Sequence, residues 1–164
     1  ENTNKPYGES PVSTAMGAYF NKKAYTDPTL RRKYTRMGFW VNIRLIRYPD
    51  VLLMAAESAN EKGLMGEASG YLEQVRAHAR GTLTNVLPKV ESLDQSVLRE
   101  AIRHERRVEL GLEPDRFYDL VRWGIAQEVL QAAGKNYQPK NALLPLPQTE
   151  IDKSNGVLVQ NPDY

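Results

Sequence analysis

Residues 48–81 read YPDVLLMAAESANEKGLMGEASGYLEQVRAHARG, and this stretch decides the fold. Pro49 suits the start of a helix, where its missing N–H leaves no bond unmade, and apolar residues then recur at Leu52, Ala55, Ala56 and Ala59. The spacing predicts a helix over about 49–62, ended by Gly63. After a short link through Leu64, Met65 and Gly66, a second stripe follows in Ala68, Tyr71, Leu72, Val75 and Ala79, closed by Gly81. Two helices joined so briefly must pack antiparallel. Alanines 55, 56, 59 and 68 let the backbones approach, with Tyr71 and Leu72 as the larger knobs. Such a pair is tetratricopeptide-like, yet no second copy follows at a period of about 34 residues. The outer face of the pair therefore needs cover, from later helices or from chain lying upstream.

Downstream, residues 82–91 read as a linker, and Ser92 with Gln95 has the spacing of a capping box. The helix it opens carries Val97, Leu98, Ala101, Ile102, Val108 and Leu112 as its apolar stripe. Glu105 falls inside that stripe, where a carboxylate is costly unless a cation meets it. Pro114 interrupts, and a further helical stretch follows through Phe117, Leu120, Val121, Trp123 and Gly124, continuing past Val129 and Leu130 to Gly134. The tail from Leu143 is extended, since Pro145 and Pro147 forbid helix. Gln148 to Asp152 fit a single turn, and Asn155-Gly156 reads as a tight turn.

Upstream, residues 1–43 are punctuated by Pro6, Gly8, Pro11, Gly17, Pro28 and Gly38 and show no sustained helical period. They read as a loop-rich segment with short strands at most, and residues 44–164 as the helical domain. Lys22, Lys23, Arg31, Arg32, Lys33 and Arg36 make part of this segment basic, but the 164-residue chain balances 22 basic against 20 acidic residues. A net charge of +2 does not call for nucleic acid. Apolar residues make up 41% and charged ones 26%, a globular composition. No run approaches the about 18 to 20 apolar residues of a membrane-spanning helix. The chain opens on ENTNKPYGES, without an initiator Met or an apolar leader, and so reads as a mature or excised piece.

Chemistry has little to stand on. Cysteine is absent, and His104-Glu105 lacks the second histidine of a zinc-binding helix because position 108 is Val. No metal or other cofactor is expected, and no Gly-x-Ser-x-Gly elbow or phosphate-binding glycine loop occurs. The dense polar constellation of Arg103, Glu105, Arg106, Arg107, Glu109, Glu113, Asp115, Arg116, Asp119 and Arg122 interleaves each carboxylate with arginine, which favours the ionised form and disfavours a general acid. It reads as a structural ion-pair network, with Arg116 and Arg122 gripping Glu105, Glu109 or Glu113. Tyr118 and Trp123, at helical spacing beside Leu120 and Val121, read as core rather than as stacking platforms for sugar. Tyr25, Tyr34, Phe39 and Trp40 sit in loop-like sequence and are the better ligand contacts.

These residues also carry a resemblance. Arg47 to Glu57, RYPDVLLMAAE, resembles the signature of the SusD/RagB family of Bacteroidetes surface nutrient-binding lipoproteins. LREAIRHERRVELGLE at 98–113, RFYDLVRWG at 116–124, LPLP at 144–147 with Glu150, and QNPDY at 160–164 agree in the same order. The match runs over about residues 37–164, weaker before that. Pro49, Ala55 and Asp163 depart from the family pattern. The resemblance implies an all-α, tetratricopeptide-like scaffold with long loops and an extended C-terminal tail. It implies capture of a glycan, or of a peptide in some members, without catalysis. It further implies a TonB-dependent, SusC-like transporter as partner and an outer-membrane location on the cell-surface side. The lipid anchor would be a cysteine upstream, in a missing N-terminal part that also carries most ligand-contacting loops. The alternative is an interaction scaffold that docks the transporter or that N-terminal part with no ligand contact of its own.

Overall fold

The computed structural model describes Asn21, Lys23 and residues 44–164. The expected loop-rich segment, and with it Tyr25, Tyr34, Phe39 and Trp40, lies outside the described residues. The described residues are all helical in their regular structure, with no strand among them. The chain divides into two compact units, Glu1–Arg106 and Arg107–Tyr164.

In the first unit, α1 (Tyr48–Glu61) and α2 (Met65–Arg80) form the expected hairpin. Gly63 at the bend has φ +78°, a left-handed conformation that a side chain resists, and Leu64 N–H closes the turn onto the Ala59 carbonyl at 2.9 Å. The link is shorter than the sequence suggested, because Met65 and Gly66 already belong to α2. Leu52, Leu53, Ala56 and Ala59 of α1 meet Ala68, Leu72 and Val75 of α2. The small residues bring the helices together, and Leu53 and Leu72 fill the space between them.

The third helix, α3 (Gln95–Glu109), adds Leu98 and Ile102 to that core. Its start is capped by Asp94 rather than Ser92: Asp94 Oδ1 accepts from the Ser96 and Val97 N–H groups at 2.9 and 3.0 Å. Ser92 instead accepts from Asp94 N–H, one step back. A carboxylate is a stronger acceptor for the exposed first-turn donors and suits the positive end of the helix. Gln95, freed from the box, exchanges hydrogen bonds with Asn60 across the core: Gln95 Nε2 donates to the Asn60 carbonyl at 2.7 Å, and Asn60 Nδ2 to the Gln95 carbonyl at 3.1 Å. The stripe is also narrower than expected. Val97, Val108 and Leu112 are exposed, and α3 buries Leu98, Ile102, Glu105 and Arg106.

The second unit holds α4 (Arg116–Arg122), α5 (Ala126–Ala132), a 3-10 turn (Pro139–Ala142) and α6 (Gln148–Lys153). The expected continuous helix is broken at Gly124, whose φ of +70° ends α4. Ile125 N–H returns to the Leu120 carbonyl at 3.1 Å, so the chain turns and α5 begins. The bend lets Leu120, Ala126 and Tyr137 form a small core, flanked by Phe117, Val121, Ile125, Val129 and Leu130. Tyr118, expected inside, is 62% exposed, with its ring edge-on to Phe117 at 5.8 Å.

The extended tail folds back by side-chain hydrogen bonds. Gln160 spans both backbone groups of Leu146, accepting from its N–H at 2.8 Å and donating to its carbonyl at 2.9 Å. Asn161 Nδ2 donates to the Leu144 carbonyl and Tyr164 Oη to the Leu143 carbonyl. Lys140 Nζ donates to the Asp163 carbonyl and lies 4.8 Å from the Tyr164 ring centroid. The terminal QNPDY thus grips the LLPLP run, whose prolines offer carbonyls but no N–H groups.

Candidate functional site

The first unit concentrates its charge where α3 meets the hairpin. Glu105 is 3% exposed and lies one turn beyond Ile102. Arg76, on α2, meets it: Nη1 donates to Glu105 Oε2 at 2.7 Å. The other end of the guanidinium, Nη2, donates to the Pro88 carbonyl at 2.9 Å. Arg106 turns to the other helix of the hairpin, donating to Asp50 Oδ1 at 2.8 Å, with both side chains nearly buried. Closer to solvent, Arg99 grips Glu61 by both oxygens, at 2.6 and 2.7 Å. That fork holds the Glu61 carboxyl below its ordinary range, against a smaller opposing effect of burial, and raises the Arg99 guanidinium. Each of the three contacts joins α3 to the hairpin through opposite charges.

Arginine also fixes the linker after α2. Arg80 Nε and Nη2 both donate to the Leu87 carbonyl, at 3.0 and 2.7 Å, while Nη1 reaches Glu73. Leu87 has φ +48°, a conformation costing about 1 to 3 kcal/mol for such a side chain unless its surroundings hold it. Ser69 Oγ donates to the Val90 carbonyl. Leu87, Pro88 and Val90 are thus all held through carbonyl oxygens.

Within the first unit this geometry gives Glu105 a partner other than the arginines expected for it: its carboxylate is met by Arg76, because the buried face of α3 is turned toward α2. Arg122 pairs within its own helix, Nε to Asp119 Oδ1 at 2.9 Å, and Asp119 is buried. Arg116 lies with its guanidinium 5.9 Å from the Trp123 ring centroid, and Arg122 approaches the same ring at 4.8 Å. Partial burial, and then the charge of Arg107, hold the Arg116 guanidinium below its usual range, opposed by Asp119. Glu109 and Glu113 are half-buried, each with an interaction of its own.

Asp50 and Arg76 were missed by sequence reasoning, and Arg106, counted within the polar constellation, was given no partner. Arg106 was legible in principle, since it lies four residues after Ile102 and eight after Leu98, on the buried face. Arg76 follows Leu72 by four on α2. Their pairing depends on how helices distant in sequence are set against each other, which no local spacing encodes. Among the described residues no group of three or more His, Asp or Glu is placed to hold a metal ion, and no helix is long and apolar enough to cross a membrane.

What the arrangement does chemically is hold. Glu105 and Asp50 are both buried, and each is met by a guanidinium from another helix, so both are taken up in joining helices. The exposed apolar residues lie elsewhere: Tyr48, Val51 and Met54, three apart along α1, are 69%, 44% and 42% exposed, and Leu45 and Ile46 precede them.

The comparisons with known proteins agree with one another. The chain is similar to SusD-like protein P25 of Formosa agariphila, 39% identical over 153 residues, which cover 89% of this chain and 27% of that protein. SusD-like protein P2 of the same organism is 36% identical over 127 residues, covering 73% of this chain and 25% of that one. The fold is similar to the crystal structure of a SusD homologue from Bacteroides thetaiotaomicron, with TM-score 0.66 and 29% identity, covering 81% of this chain and 30% of the other. The chain therefore spans about a quarter to a third of the length of the relatives it matches. The profile of the SusD family matches residues 1–142, reaching further upstream than the quoted motifs do and stopping short of QNPDY. On the strength of that match, together with an all-helical hairpin scaffold similar to a solved homologue's, the chain belongs to the SusD family.

Proposed function

We propose that this chain is the C-terminal part of a non-catalytic nutrient-binding protein that captures glycan at the cell surface and delivers it to a TonB-dependent outer-membrane transporter. The observation that carries the non-catalytic reading is the pairing of Glu105 with Arg76 and of Asp50 with Arg106. The charged residues of the family motifs at 47–57 and 98–113 that lie deepest are committed to joining helices, so recognition falls to other parts of the protein. Tyr25, Tyr34, Phe39 and Trp40 are the proposed contacts, through the stacking of aromatic faces on the C–H faces of sugar rings. The anchor is proposed to be a lipid-modified cysteine upstream.

Calorimetric titration of neutral oligosaccharides, with short peptides in parallel, against this chain and against the longer protein tests the reading. Saturable binding of an oligosaccharide that Trp40→Ala or Tyr34→Ala weakens is the expected result. Binding of peptides in preference to sugars would replace the substrate class.

A second reading is favoured by the exposed stripe of Tyr48, Val51 and Met54. Here the hairpin is an interaction scaffold that docks the remainder of the protein or the transporter and touches no ligand. Oligosaccharide binding by the longer protein, with none by this chain alone, is the outcome that selects it.

A further inference from the structure

We infer that Asn155-Gly156 is a self-modifying site, at which the asparagine cyclises onto its own backbone and so loosens the C-terminal clasp. Asn155 has φ +52° and Gly156 φ +84°, consecutive left-handed residues between α6 and the tail. Asn155 is exposed, and among the described residues its side-chain amide has no hydrogen-bond partner and the Gly156 N–H has no acceptor. A Cβ built on Gly156 would meet nothing within 4 Å, so the α-carbon next to the attacking nitrogen stands in open space. The bonds that hold the turn are long: Asn155 N–H to the Asp152 carbonyl at 3.4 Å and Val157 N–H to the Ser154 carbonyl at 3.3 Å. Local opening, which frees the Asn155 ψ rotation that ring closure needs, is correspondingly easy.

The chemistry needs nothing but water. The Gly156 nitrogen, giving up its proton, bonds to Asn155 Cγ; the Cγ–Nδ2 bond breaks, and ammonia leaves with that proton. Water then opens the five-membered imide. Attack at Cγ yields aspartate, while attack at the main-chain carbonyl carbon yields isoaspartate, with the backbone rerouted through Cβ. No oxidation state changes, and a neutral amide becomes a carboxylate. Other asparagines of the described residues are worse placed. Pro162 gives Asn161 no N–H to attack with, Asn60 is fully buried, and Asn21, Asn85, Asn136 and Asn141 precede Lys22, Val86, Tyr137 and Ala142, residue types whose β-carbon hinders attack by the nitrogen as glycine does not.

The consequence lies in the next residues. Ser154 Oγ accepts from Leu158 N–H at 2.9 Å, and two residues later Gln160 grips Leu146. An extra main-chain carbon between Ser154 and Leu158 shifts that register, and Leu146 N–H loses its acceptor.

The test is to age the full chain in mildly alkaline buffer, map isoaspartate by peptide mass spectrometry with enzymatic methylation, and follow hydrogen exchange at Leu146. The expected result is conversion at residue 155 ahead of Asn85, Asn136 and Asn141, with loss of protection at Leu146 that the Asn155→Gly variant does not show. Glycine keeps the left-handed turn while removing the reacting amide. Conversion at 155 no faster than at those three, or isoaspartate-bearing chains with Leu146 still protected, would overturn the proposal.

Discussion

At the scale of single residues, the Glu105–Arg76 pair shows a buried charge serving orientation. Taking both groups out of water is expensive, and the 2.7 Å contact offsets that cost only while both partners stay. Glu105→Ala leaves the Arg76 guanidinium nearly buried with the Pro88 carbonyl as its remaining acceptor. It should destabilise the protein by about 3 to 5 kcal/mol, read as a lower midpoint in urea unfolding. An unchanged midpoint would show that Arg76 reaches solvent when its partner is gone. That Glu105 needs a cation is legible in the sequence, because it interrupts an apolar stripe. Which cation it takes is not, since Arg76 lies 29 residues away and the choice among arginines is made by the setting of α3 on the hairpin.

At the scale of elements, helix ends carry the predictions. Hydrogen bonds from Ser96 and Val97 hold the Asp94 carboxyl below its ordinary value of 3.8, and Arg99 holds Glu61 below 4.5. Both pKa values are depressed in the folded state. Their contribution is therefore complete above the ordinary carboxylate range and is lost as pH falls through the lowered values. The first turn of α3 should fray in that acid window, with hydrogen exchange at Ser96 and Val97 rising there ahead of exchange at Leu53. Asp94→Ala should produce the same fraying at neutral pH. Gly124 is the counterpart at a C-terminus: Gly124→Ala forces a side chain into φ +70° and should cost about 1 to 2 kcal/mol, seen as a lower melting temperature. The hairpin and α3 are legible from period and punctuation. The break at Gly124 is harder to read, since the apolar spacing on either side is as compatible with a single long helix. The cap fell to Asp94 because serine and aspartate, two apart, both qualify by type, and the structure decides which oxygen meets the free N–H groups.

At the scale of the whole molecule, the outer side of α1 is the feature with reach. Tyr48, Val51 and Met54 expose an apolar row beside Leu45 and Ile46, in a chain that spans 27% of the relative it matches at 39% identity. We expect the exposed row to make this chain self-associate in sedimentation, and Val51→Asp with Met54→Lys to reduce that association while changing the unfolding free energy by no more than about 0.5 kcal/mol, as surface changes do. In the longer protein the same pair should lower stability if helices from elsewhere cover that row. The sequence made the scaffold and the family legible through collinear motifs that describe architecture, and for that reason they say little of what is bound. The linker after α2 bears on the same point. Arg76, Arg80 and Ser69 hold it by the carbonyls of Pro88, Leu87 and Val90, and every amino acid supplies that oxygen. Substitution at 87, 88 or 90 leaves each of these acceptors in place, so the anchorage sets the path of the linker without specifying side chains, Val90 apart, which also packs on the core.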